Sequence, residues 1–137
     1  MGLILDSSSV IAAERHNNTV KQFLQQVLAV TGDQDVALSA IGLAELVHGI
    51  YRAQTPLVRT QRESFIEELA ADVPIYPFTQ ETARLAGKLA GEQQSQGVII
   101  PFSDLLIGAT ALSVGYSVLT VNLRHFRLVP GLTVVQL

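Results

Sequence analysis

The chain has no cysteine. A disulfide framework, a thiolate nucleophile and any cysteine-held zinc or iron–sulfur site are therefore excluded. A reducing, cytoplasmic setting is the natural expectation. Long apolar runs are also missing: nothing approaches the roughly 18 uninterrupted apolar residues of a membrane span. The start, Met1 to Asp6, lacks the basic segment and long apolar stretch of an export signal. Charge is scarce, at 15% of residues against 48% apolar, so disorder is excluded and most elements should bury a face. With 137 residues, one domain spanning 1–137 can form a single core without staples.

A net charge of −3 argues weakly against general nucleic-acid binding. Only nine residues are basic, yet Arg52, Arg59 and Arg62 gather mid-chain, and Arg124, His125 and Arg127 near the end. Such groups can hold a phosphodiester backbone; scattered solubilising charge explains them equally well. No Gly-rich segment joins a strand to a helix, so a phosphate loop is absent.

What is present alternates. Leu3-Ile4-Leu5 reads as a central parallel strand buried on both faces. Ser7-Ser8-Ser9 reads as an N-cap cluster for a short helix. Val20, Phe23, Leu24, Val27, Leu28 and Val30 keep helical spacing. Val36 to Ser39 is a second strand, followed by a helix over about 41–53 that buries Leu43, Leu46, Val47 and Ile50. Pro56 opens a fourth helix with Phe65, Ile66 and Leu69 as its core side. Val73-Pro74-Ile75-Tyr76-Pro77 is an edge strand by its two prolines. A long helix from Thr79 to about Gln96 carries Ala83, Ala86, Gly87, Ala90 and Gly91 as packing residues. Ser103 caps a helix through Leu112, and strands follow at 116–120 and 132–135. The pattern predicts an α/β fold with a parallel sheet and helices on both faces.

Within that pattern three acids stand at the edges of apolar elements: Asp6, Glu45 and Asp104. A buried carboxylate without a partner is costly, and no basic residue lies within three positions of Asp6 or Asp104. In an open parallel sheet ligands bind beyond the C-terminal strand ends, which is where Asp6 and Asn122 fall. Hard oxygen donors of this kind suit Mg²⁺ or Mn²⁺. Each acid also has an ordinary explanation: a helix cap for Asp6, a solvated helix edge for Glu45, a favourable first-turn charge for Asp104. Asn122 reads equally as a turn former. Taken singly these are at least as good; together the acids favour a metal site modestly. His16, His48 and His125 show no ligand spacing, so structural or surface roles are expected for all three.

The segments Leu3 to Ser8, Leu38 to Gly49, Ser103 to Ala111 and Leu119 to Phe126 resemble the PIN-domain nucleases, specifically the VapC-type toxins of bacterial toxin–antitoxin pairs. The resemblance covers nearly the whole chain. It implies a PIN-like three-layer α/β/α fold with a five-stranded parallel sheet in the order 3-2-1-4-5. It further implies an endoribonuclease dependent on Mg²⁺ or Mn²⁺, acting on RNA (structured RNAs such as tRNA are frequent family targets). A cognate VapB-like antitoxin and a homodimer or higher assembly come with it, and no membrane association. By the same resemblance Asp6, Glu45 and Asp104 take the acidic metal positions and Asn122 the fourth, where many relatives carry Asp. Ser7 and Thr120 are implied as hydroxyls that orient the acids, and Phe126 as core. The alternative is a catalytically impaired PIN module that binds RNA or a protein partner. A phosphotransferase or receiver domain would need a lysine near a strand end, and Lys21 and Lys88 both lie inside helices.

Overall fold

A computed structural model describes residues 1–137. Strand β1 (Gly2–Leu5) runs into α1 (Ser7–Arg15) and α2 (Val20–Thr31). Next come β2 (Asp35–Ser39), α3 (Ala40–Tyr51), α4 (Pro56–Asp72) and β3 (Ile75–Tyr76). The chain ends with α5 (Gln80–Gln94), α6 (Phe102–Val114), β4 (Ser117–Thr120), α7 (Leu123–Phe126) and β5 (Val134–Gln136). All strand pairs are parallel and the sheet order is β3-β2-β1-β4-β5, as the resemblance implied.

Successive side chains of a strand point to opposite faces, and here both faces are covered. Leu3 and Leu5 join Val10, Phe23, Leu46, Ile50, Phe65 and Leu69 on the side of α1 to α4. Ile4 and Val118 join Ile107, Ala111 and Phe126 on the side of α6 and α7. Helix α5 docks on α6 through Ala86, Leu89, Leu105 and Ala109. Full burial of a Leu or Phe contributes about 1.5–3 kcal/mol, so this alternation alone sets the strand register firmly. No helix is long and apolar enough to cross a membrane.

Local signals place the helix starts. Thr19 and Gln22 form a capping box at α2, and Thr55 caps α4 just before Pro56 at its first position. Other expectations need correction. Asp6, not the serine cluster, is the N-cap residue of α1, and its backbone carbonyl accepts from the Ser9 amide and hydroxyl. Ser103 does not cap α6, which starts one residue earlier at Phe102. Gly87 and Gly91 face solvent, with nothing within 4 Å of where a Cβ would stand, so they are not packing residues. Leu28 and Val30 are exposed, because α2 buries only the stripe through Val20, Phe23 and Val27.

Candidate metal centre

The register Leu5↔Leu119 brings the C-terminal ends of β1 and β4 level, and the Asp6 amide donates to the Leu119 carbonyl at 2.9 Å. Asp6 therefore leaves the sheet at its centre, where the strand order reverses. Its side chain is buried, at 4% exposure. Two hydroxyls meet its Oδ2: Ser8 Oγ, and Thr120 Oγ1 at 2.9 Å. Thr120 also accepts the Asn122 amide at 2.9 Å, which ties the end of β4 to the start of α7.

Glu45 comes from α3, whose start is held by Ser39 Oγ accepting from the Gly42 amide at 2.9 Å. Ser7 Oγ, in the first turn of α1, donates to Glu45 Oε1 at 3.0 Å. Burial raises the Glu45 proton affinity; the Ser7 and Ser103 hydroxyls oppose this, and the charges of Asp6 and Asp104 add to it.

Asp104 lies in the first turn of α6, where the macrodipole favours a negative charge. Its Oδ2 lies 2.8 Å from His125 Nδ1 of α7. Burial raises its pKa first of all, the His125 hydrogen bond lowers it, and the Asp6 charge raises it again. The imidazole was expected at the surface or in a structural role; the structure seats it on an acid. Sequence spacing gave no hint, since Asp104 and His125 stand 21 positions apart on separate helices.

The three acids thus stand within electrostatic reach of one another at one sheet edge. No Lys or Arg forms an ion pair with any of them. Asn122 is exposed beside this edge, and only its backbone amide is hydrogen bonded. Three hard-oxygen carboxylates with no Lys or Arg paired to them match the donor set of Mg²⁺ or Mn²⁺ in kind. They are not drawn in to ligand spacing: no three His, Asp or Glu side chains stand close enough to hold an ion as they lie. On Asp6 and Asp104 one oxygen is held by neighbours and the other takes no hydrogen bond. That leaves one oriented donor atom on each.

A central acidic notch at the strand-order reversal of a 3-2-1-4-5 parallel sheet defines a class, and comparison with known proteins assigns it. The family model "PIN domain" matches residues 3–132. Ribonuclease VapC1 of Rickettsia felis is 34% identical over 134 residues, covering 98% of this chain and 95% of that protein. Ribonuclease VapC19 of Mycobacterium tuberculosis is 33% identical, covering 81% of this chain and 96% of its own length. Among solved structures, VapBC2 from Rickettsia felis bound to a promoter DNA fragment matches with a TM-score of 0.84 at 23% identity, covering 99% of this chain and 98% of the other. VapBC-5 from Mycobacterium tuberculosis, of the VapBC family of toxin–antitoxin systems, matches with a TM-score of 0.77 at 27% identity, covering 99% and 98%. The chain belongs to the PIN-domain family and groups there with proteins of the VapC type.

Proposed function

We propose that this chain is a divalent-metal-dependent endoribonuclease, the toxin half of a toxin–antitoxin pair. One observation carries the reading: Asp6, Glu45 and Asp104 stand within electrostatic reach of one another at the sheet edge with no Lys or Arg to neutralise them. The names of the relatives, ribonucleases of the VapC type, support an RNA substrate, and the VapBC complexes among the solved structures support a VapB-like antitoxin. Asp6, Glu45 and Asp104 would hold Mg²⁺ or Mn²⁺, with the Asn122 amide oxygen as a neutral fourth donor. When bound, such an ion activates water for in-line attack on phosphorus and steadies the developing charge. The chain's own residues do the rest. Ser8 and Thr120 fix Asp6, Ser7 fixes Glu45, and His125 fixes Asp104. A proton from the attacking water goes to a carboxylate oxygen of Glu45 or Asp104. The new P–O bond forms as the bond from phosphorus to the leaving ribose oxygen breaks, and that oxygen takes up a proton from solvent water.

Asp6→Asn and Asp104→Asn each remove a charge without changing shape. Both should lose RNA cleavage by at least about 100-fold in kcat, the scale of a positioned acid or base, while keeping the wild-type circular dichroism spectrum. Undiminished, EDTA-sensitive cleavage by Asp104→Asn sinks the assignment. Growth arrest on expression, relieved by the neighbouring gene's product, tests the toxin half of the claim. A cleavage-impaired binding module is the second reading, favoured by the unengaged Asn122 side chain and the open spacing of the acids. It predicts RNA binding without turnover, and Asn122→Asp would then not confer cleavage.

A further inference from the structure

Beside the acids, α1, α3 and α4 enclose an open cleft of about 610 Å³, within the size range of small-ligand sites. Ser7 and Glu45 line it together with Arg15, His48, Arg52 and Arg62. Three guanidiniums face one carboxylate there, in a chain whose net charge is −3. Arg62 is committed to the scaffold: it donates to the Gly49 carbonyl at 3.0 Å and lies 3.7 Å from Glu14. Arg59 sits over the Tyr51 ring, 5.6 Å from its centroid. Arg15 and Arg52 are exposed and have no carboxylate within ion-pair distance.

These two unpaired arginines, from the last turn of α1 and the residue after α3, line the same cleft as Glu45. We propose that Arg15 and Arg52 bind the phosphates of a single-stranded RNA segment running out from the scissile position along this cleft. The wall chemistry selects that occupant. Only two of the ten lining residues are hydrophobic, which suits a charged backbone rather than a base or the apolar face of a helix. Guanidiniums are matched to phosphate by their planar fork of donors. The proposal rests on the ribonuclease reading and names where its substrate lies.

Fluorescence anisotropy with a labelled single-stranded RNA of mixed sequence tests it, in EDTA so that nothing is cut. Each of Arg15→Gln and Arg52→Gln should raise Kd by roughly tenfold, the effect of one charge-assisted hydrogen bond. Each should also flatten the slope of log K against log salt by about 0.7, and the double variant by about 1.4. Arg52→Lys should restore the slope, and Arg84→Gln on α5 should leave Kd and slope unchanged. Wild-type affinity and slope in the double variant overturn the proposal, as does absence of RNA binding by the wild type. A double variant that keeps RNA affinity but loses binding of a glutamate-rich peptide overturns it too, assigning the cleft to an acidic protein segment. Cleavage assays separate the two claims. A wild type that binds RNA through the arginines but never cuts it leaves the cleft and removes the nuclease. A wild type that cuts, with KM unchanged in the double variant, does the reverse.

Discussion

His125 reaches Asp104 through Nδ1, at 2.8 Å, and the choice of nitrogen gives its role a sharp test. The side-chain amide of Asn places a donor near the position of Nδ1, whereas that of Gln places it near Nε2. His125→Asn should therefore keep Mn²⁺ affinity and kcat close to wild type. His125→Gln and His125→Ala should lose roughly 10–100-fold in one or both, the usual effect of removing the partner that orients a ligand. Calorimetric titration of Mn²⁺ reads this apart from turnover. Wild-type metal affinity in His125→Ala would reduce the contact to packing. Little at this scale was legible in sequence. Asp6, Glu45 and Asp104 declared themselves by their apolar surroundings, because an acid there demands compensation. Among their partners, Ser7 and Thr120 came from the family resemblance; Ser8 and His125 did not, because both sit in contexts where a cap or a surface residue is the commoner explanation. Only tertiary geometry separates the two.

Between elements, one hydroxyl joins three. Thr120 at the end of β4 donates to Asp6 at the end of β1 and accepts from Asn122 at the start of α7. Thr120 is fully buried and its bond to Asp6 is closed to water. Thr120→Val keeps the shape, strands one donor and one acceptor, and should cost about 1–3 kcal/mol. Thr120→Ser should cost less. Urea unfolding midpoints measure both, and a valine variant as stable as wild type removes Thr120 from the site's support. The strands were readable at this scale because each central one is a short apolar run buried on both faces. The two-residue β3 was readable from its flanking prolines. The four-residue α7 was not, since it is shorter than two turns and carries no periodicity. The small residues of α5 misled for a related reason. Periodicity shows that residues share a face, but Gly87 and Gly91 lack the side chains that would say whether the face is buried, and theirs is open.

Across the whole molecule the acids set stability against function. Glu45 and Asp104 bind protons more tightly folded than a carboxyl does in an unfolded chain, chiefly because folding desolvates them. Their contribution is thus favourable at low pH, and it is lost as pH rises from the usual carboxylate range, about 4, through the raised folded values. At neutral pH the metal-free fold carries both as a burden. On the proposed function a divalent cation would reverse the sign, since it would bind the deprotonated acids of the folded chain and not the unfolded one. Mg²⁺ or Mn²⁺ should therefore raise Tm near pH 7 and do so progressively less as pH falls toward 4. Glu45→Gln should relieve the same burden without the cation. It removes the buried charge, so the metal-free variant should melt higher than wild type at neutral pH, on the order of 2 °C because Glu45 is still half in solvent and partly screened. Its gain on adding Mn²⁺ should shrink toward zero. Melting curves of both proteins, with and without Mn²⁺ at several pH values, carry the whole test. A metal-free Glu45→Gln that melts lower than wild type at neutral pH would mean that the glutamate is a structural partner of Ser7, and that the acids are not held in repulsion awaiting a cation.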